Sequence, residues 1–309
     1  MTPSVLVPRE IETALREHDA VGELFRTRPT VGGFSNLTFF ADLSDGQTVV
    51  VKSASREVKR EDLAREARML EILAGSVTEL VVPVLRAHII VDEWAITVTN
   101  VIPGDLGINV VQTRDAVGLS AKAKVLARLL RAVHHTAPPP ANDRSLDIGE
   151  RMVHRYGVLA SRSFPPEVAS EVADSSNSML HPVIKRGASL VHGDFGFHNT
   201  IWNTDSTGQN PVVGLLDWEW SGRGNALFDP AWLWWTLQFR QAPPAAWESF
   251  VETYGHAALR SMGWNPENVL AVLRAQMSWI LSCTEPGTPA ELEWCNRITK
   301  LSALTPETL

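Results

Sequence analysis

Cysteine is almost missing from this chain: Cys283 and Cys295 are the only two in 309 residues. Two thiols make no disulfide framework, and neither stands at a zinc-like spacing from another cysteine or from a histidine pair. Both read as buried, reduced thiols. A basic excess is missing too. The formal net charge is −7, which disfavours nonspecific binding to nucleic acid or to an anionic membrane and is compatible with a cationic small molecule. No uninterrupted apolar run reaches about 18 residues, so no membrane span is expected. The opening residues, Met1 to Glu10, lack a basic segment followed by a long apolar one, so no signal peptide is expected either. Internal repeats and low-complexity tracts are also absent. What is present is an ordinary globular composition, 44% hydrophobic, in a chain whose length suggests two domains and a sizeable core. A cytoplasmic location fits this composition.

The most informative stretch begins at Leu190-Val191, an apolar approach to the polar loop His192-Gly193-Asp194-Phe195-Gly196-Phe197-His198-Asn199. Within the loop a carboxylate, Asp194, precedes a carboxamide, Asn199. Downstream, the strand-like run Val212-Val213-Gly214-Leu215-Leu216 ends on Asp217, followed by Trp218-Glu219. Two short strands that each deliver an oxygen ligand at a loop end can hold a divalent cation, and Asp194 is then left to orient a hydroxyl. Phosphoryl transfer is built this way. Alone, His-x-Asp-x4-Asn could equally be a polar loop with an Asx turn.

The N-terminal third supplies context. Gly32-Gly33-Phe34-Ser35-Asn36 lies between strand-like ends, Asp45-Gly46 is a hairpin turn signal, and Gln47 to Lys52 forms the next strand. By themselves these residues describe a β-meander with a glycine-rich hairpin, and Lys52 could be an edge-strand lysine. Glycines, however, let backbone N–H groups approach an anion, and Ser35 and Asn36 add side-chain donors. Lys52 ends an apolar strand, where a cation can reach phosphate oxygens. Leu63 to Leu73 reads as a helix with Glu66 beside its apolar face, placed to pair with Lys52 or, more plainly, to serve as a solvated partner in a charged helix. No Gly-Lys-Ser/Thr follows the glycines, so the loop is not a Walker A motif.

Taken together, Gly32-Gly33-x-Ser35-Asn36, Lys52, Glu66, His192-x-Asp194-x4-Asn199 and Asp217-Trp218-Glu219 resemble the aminoglycoside phosphotransferase/choline-kinase-like family of small-molecule kinases. The resemblance implies a bilobal, protein-kinase-like α+β fold with the nucleotide in the cleft between the lobes. Residues 1–102 would be a small antiparallel-sheet N-lobe that binds nucleotide. Residues 103–309 would be a mainly helical C-lobe carrying the catalytic loop, the metal site and the acceptor pocket. It implies that Gly32, Gly33, Ser35 and Asn36 form the nucleotide loop and that Lys52, positioned by Glu66, contacts the phosphates. The Asn100 carbonyl and the Ile102 amide would read the base, Asn199 and Asp217 would hold Mg²⁺, and Asp194 would be the catalytic carboxylate. The donor would be ATP or GTP and the partner a small-molecule acceptor.

The activity so implied is an O-phosphotransferase, foremost one that inactivates an antibiotic. A metabolic kinase of an amino alcohol, sugar or amino acid is the alternative. An inactive nucleotide-binding regulatory module is a reading of another class, disfavoured because Lys52, Glu66, Asp194, Asn199 and Asp217 are all present. No Asp-Phe-Gly and no Ala-Pro-Glu follow Asp217, which argues against a protein kinase.

The remaining expectations concern packing. Ala121 to His134 reads as an amphipathic helix. His134 and His135, adjacent on it, are assigned a structural role rather than a metal, since neighbouring helix positions do not share a face. In Gly224-Asn225-Ala226-Leu227-Phe228-Asp229-Pro230-Ala231 the chain departs from the family at Ala226 and Pro230. Pro230 is expected in a helix's first turn with Asp229 as its cap, and Asp229 is expected to brace the catalytic loop. Trp232, Trp235 and Phe239 recur at helical spacing and are assigned to the core, whereas Trp234, Trp218 or Trp220 could line a pocket for a cationic acceptor. Further helices are expected over 245–262, 265–282 and 289–302.

Overall fold

The computed structural model describes residues 7–30, 36–76, 80–111, 116–204 and 211–302. They form two compact units, Met1–Leu106 with Thr200–Trp220, and Gly107–Asn199 with Ser221–Leu309. The first unit thus takes in the two strands that follow the His192–Asn199 loop.

In chain order it opens with α1 (Arg9–Glu17), β1 (Leu24–Pro29), β2 (Leu37–Leu43), β3 (Thr48–Ala54), α2 (Glu57–Ala74), β4 (Leu85–Val91), β5 (Trp94–Asn100) and β6 (Asp105–Leu106). Five strands make an antiparallel sheet in the order β1-β2-β3-β5-β4. Side chains alternate across it, as the two-residue repeat of a strand requires. Val49 and Val51 of β3 and Ile96 and Val98 of β5 face Ile11 and Leu15 of α1, and all six are fully buried. The opposite face carries Ala54 and Ala95, which pack on Leu63 of α2. Lys52 shares that second face, two residues before Ala54, and is paired across the sheet with Thr97.

The second unit contains α3 (Ile108–Val111), α4 (Ala116–His135), α5 (Ile148–Ala160), α6 (Pro166–Asn177), α7 (Pro182–Lys185) and β7 (Ser189–Val191). The chain then re-enters the first unit as β8 (Thr200–Thr204) and β9 (Pro211–Leu215) and returns as β10 (Gly222–Gly224). It ends with α8 (Phe228–Phe239), α9 (Pro244–Tyr254), α10 (His256–Ser261), α11 (Pro266–Cys283) and α12 (Pro289–Ser302). Leu119, Ala123, Leu126, Leu130 and Val133 form the buried stripe of α4. From Val269 on, α11 is buried almost all round, as a helix apolar on every side must be. β7 pairs with β10, and β6, β8 and β9 make a separate three-stranded sheet in the first unit.

The fold class is the expected one, a protein-kinase-like α+β fold with an antiparallel-sheet unit and a mainly helical unit. Two local expectations are corrected. The helix expected over 245–262 is two helices, because Gly255 adopts φ +105°, a conformation that ends a helix and that glycine reaches without a Cβ clash. Pro230 does sit in the first turn of α8, but the cap position is Leu227 and Asp229 lies inside the helix.

Both cysteines are buried. Burial, reinforced by Glu291 and opposed by Arg162, pushes the Cys295 thiol above its ordinary range. Neither should react with a chromogenic disulfide reagent at neutral pH within minutes, whereas both should in denaturant. Prompt labelling of the native protein would contradict this packing. Among the described residues no helix is long and apolar enough to cross a membrane.

Candidate active site

In the second unit the loop after β7 turns at Gly193, whose φ of +84° suits glycine. The backbone N–H groups of His192 and Gly193 both donate to Asp229 of α8, at 3.0 and 2.8 Å. The Gly193 carbonyl accepts from the Gln276 amide of α11. Asp229 is itself held by His134 of α4, whose Nε2 lies 3.0 Å from its Oδ2, while His134 Nδ1 meets the Tyr254 hydroxyl of α9 at 2.7 Å. Burial, aided by Asp229 and opposed by Arg131, raises the Tyr254 phenol well above its usual range, so Tyr254 stays a neutral hydroxyl. Asp229 therefore braces the loop, and His134 in turn holds Asp229.

This bracing presents Asp194. Its Oδ1 accepts from the Trp232 indole N–H at 2.6 Å and lies 3.0 Å from His198 Nε2. Its Oδ2 and its backbone carbonyl accept from Asn199 Nδ2 at 2.8 and 2.9 Å. The carboxylate is fixed by three side chains yet remains 19% exposed. Holding Asn199 by its nitrogen leaves Oδ1 without a partner among the described residues. An amide oxygen of this kind is a suitable donor for a hard cation such as Mg²⁺.

The first unit gathers the other charged residues. Lys52 Nζ lies 2.7 Å from Glu66 Oε1 and 2.9 Å from Asp217 Oδ1. Burial by itself would lower the Lys52 pKa. The carboxylates of Asp217, Glu66 and Glu219 more than offset it, so the ammonium titrates above its usual range and stays charged. Burial raises Glu66 above the ordinary carboxylate range, with Lys52 opposing and Asp217 reinforcing. The Trp218 N–H also donates to Glu66. Asp217 has φ +64°, which is uncommon for a non-glycine residue. Its carboxylate is 32% exposed, and its hard oxygens suit a divalent cation as those of Asn199 do.

Sequence reasoning missed a second cluster in this unit. Glu219 is buried and accepts from Asn36 Nδ2 at 3.0 Å and from Lys59 Nζ at 3.3 Å. Lys59 also meets Asp62, and Arg65 bridges Asp62 and the Glu219 carbonyl. Burial, then Asp217, pushes Glu219 up to about 8 against the opposing pull of Lys59. A signal was available. Lys59, Asp62 and Glu66 recur at helical spacing beside the Leu63, Ala67 and Leu70 stripe, so these charges flank the buried face of α2 rather than opposing it.

Asn36 is thus committed by its amide nitrogen to Glu219. Gly32, Gly33 and Ser35 lie outside the described residues. Asn100 closes β5, its side-chain oxygen accepting from the Val84 N–H. Ile102 follows, with its side chain against Gly214 of β9. The pocket-lining assignments of Trp218 and Trp234 are corrected, since both are buried. The core assignment of Phe239 is corrected as well: it is 47% exposed.

The sequence model of the phosphotransferase enzyme family matches residues 26–272, and the chain belongs to that family. It is a phosphotransferase acting on an alcohol group of a small molecule, with a nucleotide as donor. No curated protein sequence matches it. Among solved structures it is similar to the GDP and kanamycin complex of APH(2")-IIia, with TM-score 0.65 and 14% identity over 94% of this chain and 97% of that one. It is also similar to the ADP and streptomycin complex of APH(3'')-Id from Streptomyces rimosus, with TM-score 0.58 and 18% identity over 85% and 96%. A third similar structure is macrolide 2'-phosphotransferase MphH from Brachybacterium faecium, with TM-score 0.52 and 17% identity over 90% and 92%. At these identities the likeness concerns the fold.

Proposed function

We propose that this protein transfers the γ-phosphate of ATP or GTP to a hydroxyl of an antibiotic-like small molecule. The observation that carries the reading is Asp194, a partly exposed carboxylate fixed by Trp232, His198 and Asn199. The acceptor oxygen forms a bond to the γ-phosphorus, the bond from that phosphorus to the diphosphate leaving group breaks, and the acceptor's proton passes to or is oriented by Asp194. Residues 1–102 bind nucleotide and 103–309 carry the catalytic loop and acceptor site. Lys52, held by Glu66, neutralises phosphate oxygens. The backbone N–H groups of Gly32, Gly33, Ser35 and Asn36 would line the phosphates, and the Asn100 carbonyl and Ile102 amide would take the base. Asn199 and Asp217 would hold Mg²⁺, which supplies charge neutralisation for the phosphates. A cytoplasmic location, where nucleoside triphosphates are available, belongs to the same proposal. Antibiotics are the acceptors named for the three similar structures, which supports this class over a metabolic kinase.

The test is transfer of labelled γ-phosphate from ATP and from GTP, with Mg²⁺, to a panel of antibiotics and hydroxylated metabolites. Asp217→Ala should weaken Mg-nucleotide binding at least about tenfold by calorimetry, since a charged ligand is lost. Unchanged affinity in that variant would remove Asp217 from the metal site.

A further inference from the structure

The indole that holds Asp194 is the first rung of an aromatic ladder. Trp232 and Trp235 of α8 lie with ring centroids 4.7 Å apart, and Trp294 of α12 stands 6.4 Å from Trp232 and 6.3 Å from Trp235. Trp235 stacks on Phe239 at 5.2 Å. Positions 232, 235 and 239 share one face of α8, so the ladder runs along that face. It is buried at Trp232 and emerges at Phe239. Arg297, one turn beyond Trp294 on α12, places its guanidinium 4.3 Å from the Trp294 ring and 4.6 Å from the Phe239 ring. Arg240 follows Phe239, and Arg297 lies near enough to add to the effect of burial in lowering the Arg240 pKa. The facing acid is Glu293, half exposed, which pairs with Arg297 at 2.8 Å.

Two features of this arrangement go beyond helix packing. The ladder is continuous with the reacting carboxylate through the 2.6 Å indole bond. Its outer end also presents cations where a polyamine would need anions. Flat indole faces favour ring surfaces, and an arginine already stacked on them occupies the place that an acceptor's own ammonium would take.

We infer that Trp294 and Phe239, with Arg297, form an acceptor-binding wall at the outer end of the ladder that starts at Asp194, and that the acceptor is a neutral or anionic hydroxylated molecule bearing a flat apolar ring, not a polycation. This inference rests on the phosphotransferase reading and names its substrate class. It departs from the expectation of a cationic acceptor.

The test measures transfer of labelled γ-phosphate to 4-nitrophenyl glucoside, 4-nitrophenyl glucuronide and kanamycin, a neutral, an anionic and a polycationic probe. Mg-ATP binding is followed separately by calorimetry. The aryl glycosides should be labelled with kcat/KM at least about tenfold above kanamycin. Trp294→Ala should raise their KM about tenfold, and Phe239→Ala, at an exposed position where folding is not at stake, about threefold, with the KM for ATP unchanged in both. Arg297→Gln should narrow the preference for the glucuronide over the glucoside. Preferred labelling of kanamycin would overturn the inference, as would acceptor KM values indifferent to both aromatic variants. Binding of Mg-ATP with no label on either aryl glycoside overturns the acceptor class alone. Failure to bind Mg-ATP overturns the phosphotransferase reading, and the inference with it.

Discussion

Replacing Asp194 with alanine is expected to lower turnover by about 10²–10⁴-fold, the range for loss of a positioned general base. Nucleotide affinity should change little, because Lys52, Glu66 and Asp217 carry that role in the proposed mechanism and keep their own ion pairs. Global stability should change little as well. The donors stranded by the substitution, Trp232 Nε1 and His198 Nε2, surround a side chain that water already reaches, and Asn199 Nδ2 keeps the backbone carbonyl at position 194. Asp194→Asn is a sharper variant. It keeps the volume but sets an amide among three donors, so it should be as inactive as the alanine form. Steady-state rates at saturating acceptor, with nucleotide titrated, separate the two parameters. Turnover within about tenfold of wild type in either variant would exclude Asp194 as the base.

The second large effect is expected at Asp229. Its carboxylate has no solvent exposure and accepts from two consecutive backbone N–H groups and from His134. Alanine there leaves buried donors without acceptors, each costing about 1–3 kcal/mol. The expected loss of stability is about 3–5 kcal/mol, since two backbone donors and an imidazole lose one buried acceptor together. Urea denaturation at equilibrium would measure it. Turnover should also collapse in whatever fraction stays folded, because the loop would no longer be held in register. A loss below about 1 kcal/mol would show that the brace contributes little.

These two residues also show what could be read from the chain beforehand. The order of strand, polar loop and strand located Asp194 and Asn199 in the loop after β7 and Asp217 just past β9, because strand periodicity and loop polarity are local properties. The pairing of Lys52 with Glu66 was legible for the same reason, since a strand end and a helix face each have a fixed period. The second partner of Lys52, Asp217, lies 165 positions away and leaves no local trace. Glu219 was hidden in another way: its partners on α2 look like a solvated charged face unless their phase against the apolar stripe is checked. The aromatic residues of α8 misled because helical spacing states which residues share a face and not whether that face is covered. Phe239 shares its face with Trp232 and Trp235 and yet emerges into solvent.

The brace on the catalytic loop has a consequence for biosynthesis. When the ribosome has completed Asn199, the whole motif exists as polymer, but nothing yet fixes its shape. Asp229, Tyr254 and Gln276 are still to be made, and the contact from Gln276 to Gly193 closes across 83 positions. An N-terminal segment that folds as it emerges can acquire the five-stranded sheet early. The geometry of this loop is acquired only after α11 has been translated and docked. Chains cut short between Asp217 and the start of α11 should therefore carry every motif residue without the contact that fixes the loop, so that on the proposed mechanism the nascent polypeptide stays inert until α11 is made.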